Sequence, residues 1–239
     1  LVLVKTSHGI TKDDVIQRVK EFGDLTYHVH HMGSTSVAAL IIKKPLDDNI
    51  IQSLNDRLKS ATVINIAVAE LSVASNDLSE TDLRIIKCLL LSGARIEISD
   101  IAKEVGISEK TTTRRLNRMK EMRLLDFSLQ CSPAAMIGYI QFVIPITVAK
   151  IHYHNVLERM YSEFQANILY SPSLIEPEDR LAFVENVFVV DHVLARVNSF
   201  EGVKSADAYI LTKWQYYDDW IVKEINKRLI LRPILHRSR

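Results

Sequence analysis

The residues best equipped for chemistry lie at positions 108 to 123, SEKTTTRRLNRMKEMR. Six basic side chains (Lys110, Arg114, Arg115, Arg118, Lys120 and Arg123) stand there against Glu109 and Glu121, a local charge of +4 on a chain whose formal net charge is only +1. Affinity for a polyanion must therefore come from this patch and not from overall charge. Arginine offers a planar fork that matches phosphate oxygens and the guanine edge, and a threonine hydroxyl or methyl can reach phosphate or thymine. On a helix, Thr112, Leu116 and Met119 recur at i, i+4 and i+7 and turn inward. Lys110, Thr111, Arg114, Arg115 and Arg118 then point elsewhere. Ser108 is placed to cap such a helix, a stabilisation of about 1 kcal/mol that also sets the helix angle. The chemistry on offer is recognition of a nucleic acid.

A second candidate is the run YHVHH, with His28, His30 and His31. On a strand, His28 and His30 share a face about 7 Å apart, within reach of one zinc or copper ion. A site needs a third or fourth ligand, and His8 is poorly placed to supply one. The histidines are therefore read as polar packing at a module interface, and no metal or cofactor is assigned. His152 and His154 lie two apart at a helix start, a spacing that does not put both on one side. The carboxylates of QYYDDW and EPEDR read as capping and turn groups. No nucleophile and base arrangement, phosphate-binding glycine loop or metal-hydrolase signature is present. The chain is read as a non-enzyme.

The elements that must hold these residues fall into three regions. LVLVKTS is a short β-branched segment, and Val15, Ile16, Val19 and Phe22 follow at helical spacing. LTYHVHH and TSVAALII flank the turn MGS; Ile50, Ile51, Leu54 and Leu58 form another helical stripe, and TVINIAVAEL closes as a strand. The order is βαββαβ, the ferredoxin-like arrangement. The polar stretch SVASNDLSE reads as a linker. A later region repeats the order: strand YIQFVIPITVA, helix HYHNVLERMYSEF, strands ANILYSPSLI and LAFVENVFVV joined by EPEDR, helix DHVLARVNSF, and strand VKSADAYILTK. A final helix carries Trp220, Ile221, Ile225 and Leu229, and the tail NKRLILRPILHRSR is basic, as exposed and disordered termini often are. The fold class is α+β, with ferredoxin-like modules at 1–72 and 136–230 flanking a unit at 78–130. Nearly continuous apolar strands imply burial on both sheet faces, hence sheet-to-sheet packing within or between chains.

The middle unit shows three helix signals. Ser79 caps the first, with Glu80 and Asp82 in its opening turn and Leu83, Ile86 and Leu90 as a buried stripe. Ser99 caps the second, Ile101, Ala102 and Val105 pack, and Gly106 ends it in a left-handed turn. Cys88 reads as core. Two helices joined by VGIS form a helix-turn-helix, which gives the basic helix access to a major groove.

LSETDLRIIKCLLLSGARIEISDIAKEVGISEKTTTRRLNRMKEMRLL resembles the winged helix-turn-helix of the Lrp/AsnC transcription regulators. The marks are ETD, GARI, IAKEVGIS and RRLNRM; SLQCSPAAMIGYI and SFEGVKSADAYILT are similar to that family's later segments. The resemblance covers residues 78 to about 213, and the first region looks like a further copy of the effector module. It implies a sequence-specific DNA-binding regulator that contacts double-stranded DNA through Ser108, Lys110, Thr111, Arg114, Arg115 and Arg118. Arg123 stands where the family usually has glycine, so either the turn into the wing differs or Arg123 itself contacts phosphate, and it is added to the DNA-binding residues. The resemblance further implies a small-molecule effector, often an amino acid, and a homo-oligomer, in particular a homodimer formed by module pairing. Some proteins of this architecture are siroheme decarboxylases, the alternative reading, with a ligand sensor lacking DNA as another. Cys88 and Cys131 belong to no CxxC or ligand spacing, as expected for the reduced cytoplasm. No apolar run nears the ~20 residues of a membrane span. The chain opens without methionine, as though a preceding segment had been removed.

Overall fold

Reciprocal capping starts the first helix. Thr11 Oγ1 accepts from the Asp14 N–H at 3.2 Å while the Asp14 carboxylate accepts from the Thr11 N–H. Helix α1 (Lys12–Val19) follows, burying Val15, Ile16 and Val19, and a 3₁₀ turn at Lys20–Phe22 extends it. In the computed structural model, the described residues are 1–43, 48–58, 61–66, 78–93, 95–122, 124, 125, 127, 132–168, 180–184 and 186–236, with backbone alone at 48–51, 55, 180–184 and 231–236.

Around α1 stand β1 (Val2–Thr6), β2 (Asp24–His31), β3 (Thr35–Ile41), α2 (Asp48–Arg57) and β4 (Ala61–Ile66). The strands pair antiparallel in the order β4-β1-β3-β2, the ferredoxin-like order expected of βαββαβ. Val2, Val4, Leu25, Ala38, Ala39, Leu54 and Leu58 are buried in this module. Ile50 and Ile51 lie outside the residues whose side chains are described.

The second module contains β5 (Ile140–Ile144), β6 (Ile146–Val148), α6 (Tyr153–Phe164), β7 (Arg180–Val184), α7 (Val187–Asn198), β8 (Val203–Ala206) and β9 (Tyr209–Tyr216). Pro145, which has no N–H to give a ladder, separates β5 from β6, which pairs with β8 in a ladder of its own. Phe142, Ile144, Ile146, Val156, Met160, Val190, Val193, Val197 and Phe200 form the core. Residues 169–179, which hold most of the strand ANILYSPSLI and the turn EPEDR, lie outside the described residues. LAFVENVFVV is not one strand. Asn186 Oδ1 accepts from the N–H groups of Phe188 and Val189, at 3.1 and 3.2 Å, so the backbone turns helical at Val187. Val190, Val193 and Val197 then line one face of α7, which overrides the β preference of this valine-rich run.

The modules do not stack face to face within the chain. They join edge to edge in a seven-stranded sheet of order β4-β1-β3-β2-β9-β5-β7. The long strand β9 does this by dividing its partners: Tyr209 and Ile210 pair with Val143 and Phe142 of β5, and Leu211 to Tyr216 pair antiparallel with His31 to Tyr27 of β2. On the face away from α1, Val29 and Leu211 are buried, with Tyr27, Val143 and Trp214 packed against them. Trp214 and Tyr216 stack there with centroids 5.6 Å apart. The apolar pattern on both sides of the strands thus has helices on one face and this aromatic row on the other.

Compact units are Leu1–Glu70 with Gln130–Tyr216, and Leu71–Leu129 with Tyr217–Arg239. The second holds α3 (Glu80–Ser92), α4 (Ile98–Val105), α5 (Glu109–Glu121) and α8 (Asp219–His236). Helix α8, placed with the later module by its sequence position, instead packs on α3 and buries Ile225. The basic tail is helical as far as His236. Among the described residues no helix is long and apolar enough to cross a membrane.

Candidate nucleic-acid interface

Local caps fix the three helices that carry the basic residues. Ser79 and Asp82 form a capping box at the start of α3. Helix α4 begins two residues earlier than Ser99 would dictate: Glu97 occupies the N-cap without a side-chain bond, and Ser99 sits inside the first turn. Gly106 closes α4 at φ 77°, ψ 37°, a left-handed conformation that a side chain disfavours, and its N–H reaches the Ala102 carbonyl at 2.9 Å. Ser108 then caps α5, its Oγ accepting from the Thr111 N–H at 3.2 Å and lying 2.9 Å from Thr111 Oγ1.

The inner face of α5 is as periodicity requires: Thr112, Leu116 and Met119 are 0%, 7% and 2% exposed. Leu116 and Met119 pack with Ile85, Cys88, Leu89 and Ile101. The buried stripe of α3 is broader than Leu83, Ile86 and Leu90, because α4, α5 and α8 all pack on this helix. Leu83, Ile85, Cys88 and Leu89 are buried, and Ile86 is partly so.

Outward from α5 stand Lys110, Arg114 and Arg118, all exposed, with Thr111 half-buried near the helix start. Thr113 and Asn117 are exposed on the same face and, with Glu121, complete a shallow surface depression along it. Sequence reading passed over Asn117, although its place one residue before Arg118 and three after Arg114 puts it on this ridge. A helix of 13 residues is about 20 Å long, enough to lie along a major groove about 12 Å wide.

Arg115 is placed differently. Its Nη1 donates to Asp82 Oδ1 and to Ser79 Oγ, each at 2.9 Å, and its side chain is 26% exposed. Asp82 is only 3% exposed, and its other oxygen takes the Ser79 N–H at 2.9 Å and hydroxyl at 2.6 Å. Burial opposes ionisation of Asp82, but the bonds from Ser79 and Arg115 outweigh it and hold the carboxyl below its ordinary range. Arg115 follows Thr112 by three and precedes Leu116 by one, on the flank of the buried stripe, where a carboxylate of α3 can claim it. Arg115, which lies off the inner face, is half-buried and ties α5 to α3. Arg123 lies outside the described residues, as do most of 126–131 after the helix.

The histidine run lies in the other unit. His28, His30 and His31 are buried. Asp13 of α1 reaches over the strand, its Oδ1 3.0 Å from His30 Nε2 and 3.9 Å from His28 Nε2, and Lys213 of β9 donates to the same oxygen at 2.7 Å. His30 Nδ1 meets Ser36 Oγ at 2.9 Å. The bond from Lys213 and then that from His30 pull Asp13 down to about 2. Burial, reinforced by His30 and Lys213 and opposed by Asp13, pushes His28 down to about 4; burial, then Lys12 and His30, does the same to His31. His31 meets Thr35 Oγ1 at 3.1 Å and stacks on Tyr209. His152 packs against Gly202, where a Cβ would fall 2.3 Å from the His152 Cβ, and His154 is exposed.

Three short helices with a capped, cationic third helix and a left-handed glycine between the second and third define a helix-turn-helix unit. Residues 78–125 match the family model described as winged helix-turn-helix DNA-binding, so the chain carries a DNA-binding domain of that class. Among solved structures it is similar to a transcriptional regulator of Neisseria meningitidis in complex with L-Met, at 20% identity over 57% of this chain and 90% of that one, TM-score 0.44. AsnC of E. coli is similar at 18% identity over 57% and 93%, TM-score 0.42. The leucine response regulatory protein of Mycobacterium tuberculosis is similar at 19% identity over 59% and 97%, TM-score 0.45. Curated protein sequences give no match.

Proposed function

We propose that this chain is a sequence-specific DNA-binding transcriptional regulator of the Lrp/AsnC type and not an enzyme, acting in the cytoplasm. The observation that carries the reading is the division of α5 into a buried face of Thr112, Leu116 and Met119 and an exposed ridge of Lys110, Arg114, Asn117 and Arg118. Lys110, Arg114 and Arg118 neutralise phosphates or read guanine, Asn117 suits an adenine edge, and Thr111 stands at the groove wall. Ser108 fixes the angle at which the helix enters, and Arg115 holds that helix to its neighbour. Arg123 is carried as a further phosphate contact on the sequence alone.

Beyond the DNA, the reading includes a small-molecule effector of the amino-acid class, in keeping with the L-Met bound to the Neisseria regulator. It also includes a homodimer, in which two-fold symmetry would offer two recognition helices to a palindromic site. The aromatic row on the sheet face, half-buried Tyr27 and Trp214 with exposed Tyr216, supports pairing through the modules.

The test is anisotropy titration of Arg114→Ala and Arg118→Ala against a site selected from random duplexes, at several salt concentrations. A sequence-dependent loss of about 1–3 kcal/mol marks a base contact. A uniform loss, with the log–log salt slope shallower by about 0.9 per contact, marks a phosphate. If neither variant changes binding, α5 is not the interface and the reading fails.

A further inference from the structure

The geometry points to a transition-metal site at Asp13, His28 and His30, of the class that takes Zn²⁺ through two imidazoles and one carboxylate. His28 and His30 project from one face of β2, with ring centroids 4.6 Å apart. Helix α1 crosses that face and supplies the third ligand that the histidine run lacks in sequence. The donor atoms of the three residues all lie within 4.8 Å of one another. A tetrahedral ion about 2.0–2.1 Å from each donor needs them about 3.4 Å apart. The distances from Asp13 Oδ1, 3.0 Å to His30 and 3.9 Å to His28, bracket that value.

The parts differ in freedom as such a site requires. The imidazoles are held, with side chains 1% and 7% exposed, while the Asp13 side chain is 61% exposed and can shift by the fraction of an ångström that closure demands. Ser36 Oγ on His30 Nδ1 orients the ring with Nε2 toward the carboxylate, as outer-shell partners of metal-bound histidine do. A hydroxyl can accept the Nδ1–H that Nε2 ligation leaves in place. Two imidazoles favour zinc, cobalt, nickel or copper over magnesium or calcium, which prefer all-oxygen shells.

A cation already stands at this carboxylate: Lys213 Nζ lies 2.7 Å from Asp13 Oδ1. Lys213 is opposite His30 in the β2–β9 ladder, and its side chain is 41% exposed, so an entering ion displaces the ammonium to water and takes its place. Lysine is thus the competitor at the site, which gives the proposal an outcome of opposite sign to ligand removal.

The test is calorimetric titration of the whole chain with Zn²⁺ near pH 7.5, with circular dichroism of every variant. Wild type should bind one equivalent that EDTA removes. Asp13→Asn, a change at an exposed position, should weaken binding about tenfold or more. Lys213→Met should tighten it several-fold, and the double change His152→Ala with His154→Ala should leave it alone. Absence of zinc binding below about 100 µM overturns the proposal. So does binding that Asp13→Asn leaves unchanged, which would belong to exposed histidines such as His8 and His154. No DNA enters this experiment, so its result stands apart from that of the α5 variants.

Discussion

Replacing Arg115 by alanine should cost stability and leave phosphate recognition intact, the reverse of what its place among the basic residues suggests. The loss follows from its partners. Removing one member of a fully buried ion pair costs about 3–5 kcal/mol, whereas exposed pairs are worth about 0–1. Here Asp82 is 3% exposed and Arg115 is 26% exposed, so the pair lies between these limits. Asp82 also keeps both bonds from Ser79, at 2.9 and 2.6 Å, when the guanidinium is gone. A cost of about 2 kcal/mol is expected, with a coupling of about 1–2 kcal/mol in a cycle with Asp82→Asn. Native-state hydrogen exchange suits the measurement, because it reads amides of α3 and α5 apart from those of the sheet unit. Arg115→Ala should speed exchange in both helices while its salt dependence of DNA binding stays parallel to wild type. Unchanged exchange with a salt slope shallower by about 0.9, matching a phosphate-contact variant, would refute the assignment and return Arg115 to the DNA face.

Acid should weaken the sheet unit in a defined window. His28 and His31 are held neutral in the fold, at about 4, below the unfolded value of 6.5, so the unfolded chain gains protons first. Their contribution is complete above about 6.5, declines as pH falls toward 4, and amounts to on the order of 1–3 kcal/mol each. Urea midpoints across this range check it, and a flat profile between pH 7 and 4.5 would contradict it. Gly202→Ala should cost about 2–4 kcal/mol, since Gly202 has φ +87° and a new Cβ would lie 2.3 Å from the His152 Cβ. Thermal unfolding reads that loss, and a melting point within a degree of wild type would show that the contact yields easily.

The first module and the DNA-binding helices were legible because each element carries its own local signal. Thr11, Ser79 and Ser108 cap their helices, Gly106 ends one, and the apolar periods of α1 and α5 match their buried faces. Where two local signals compete, legibility ends. Val187 to Val190 read as strand by composition, but Asn186 supplies the cap that makes them helix. The charge of Arg115 suggests a phosphate contact, but its place beside Leu116 puts it within reach of Asp82. Tertiary partners left no local trace at all: nothing near YHVHH announces Asp13 or Lys213, and the register of β2 on β9 is set by chain segments far apart.

That distance bears on how the protein is made. His30 and Thr212, bonded across β2 and β9, are separated by 182 residues, so at about 5–20 residues per second a ribosome leaves the β2 edge without its neighbour for roughly ten to forty seconds. During that interval the nascent first module presents a bare row of amides and carbonyls to every other chain in the vicinity. Translation of residues 209 to 216 ends the exposure, making the early and late modules separable as text but not as independently finished folding units.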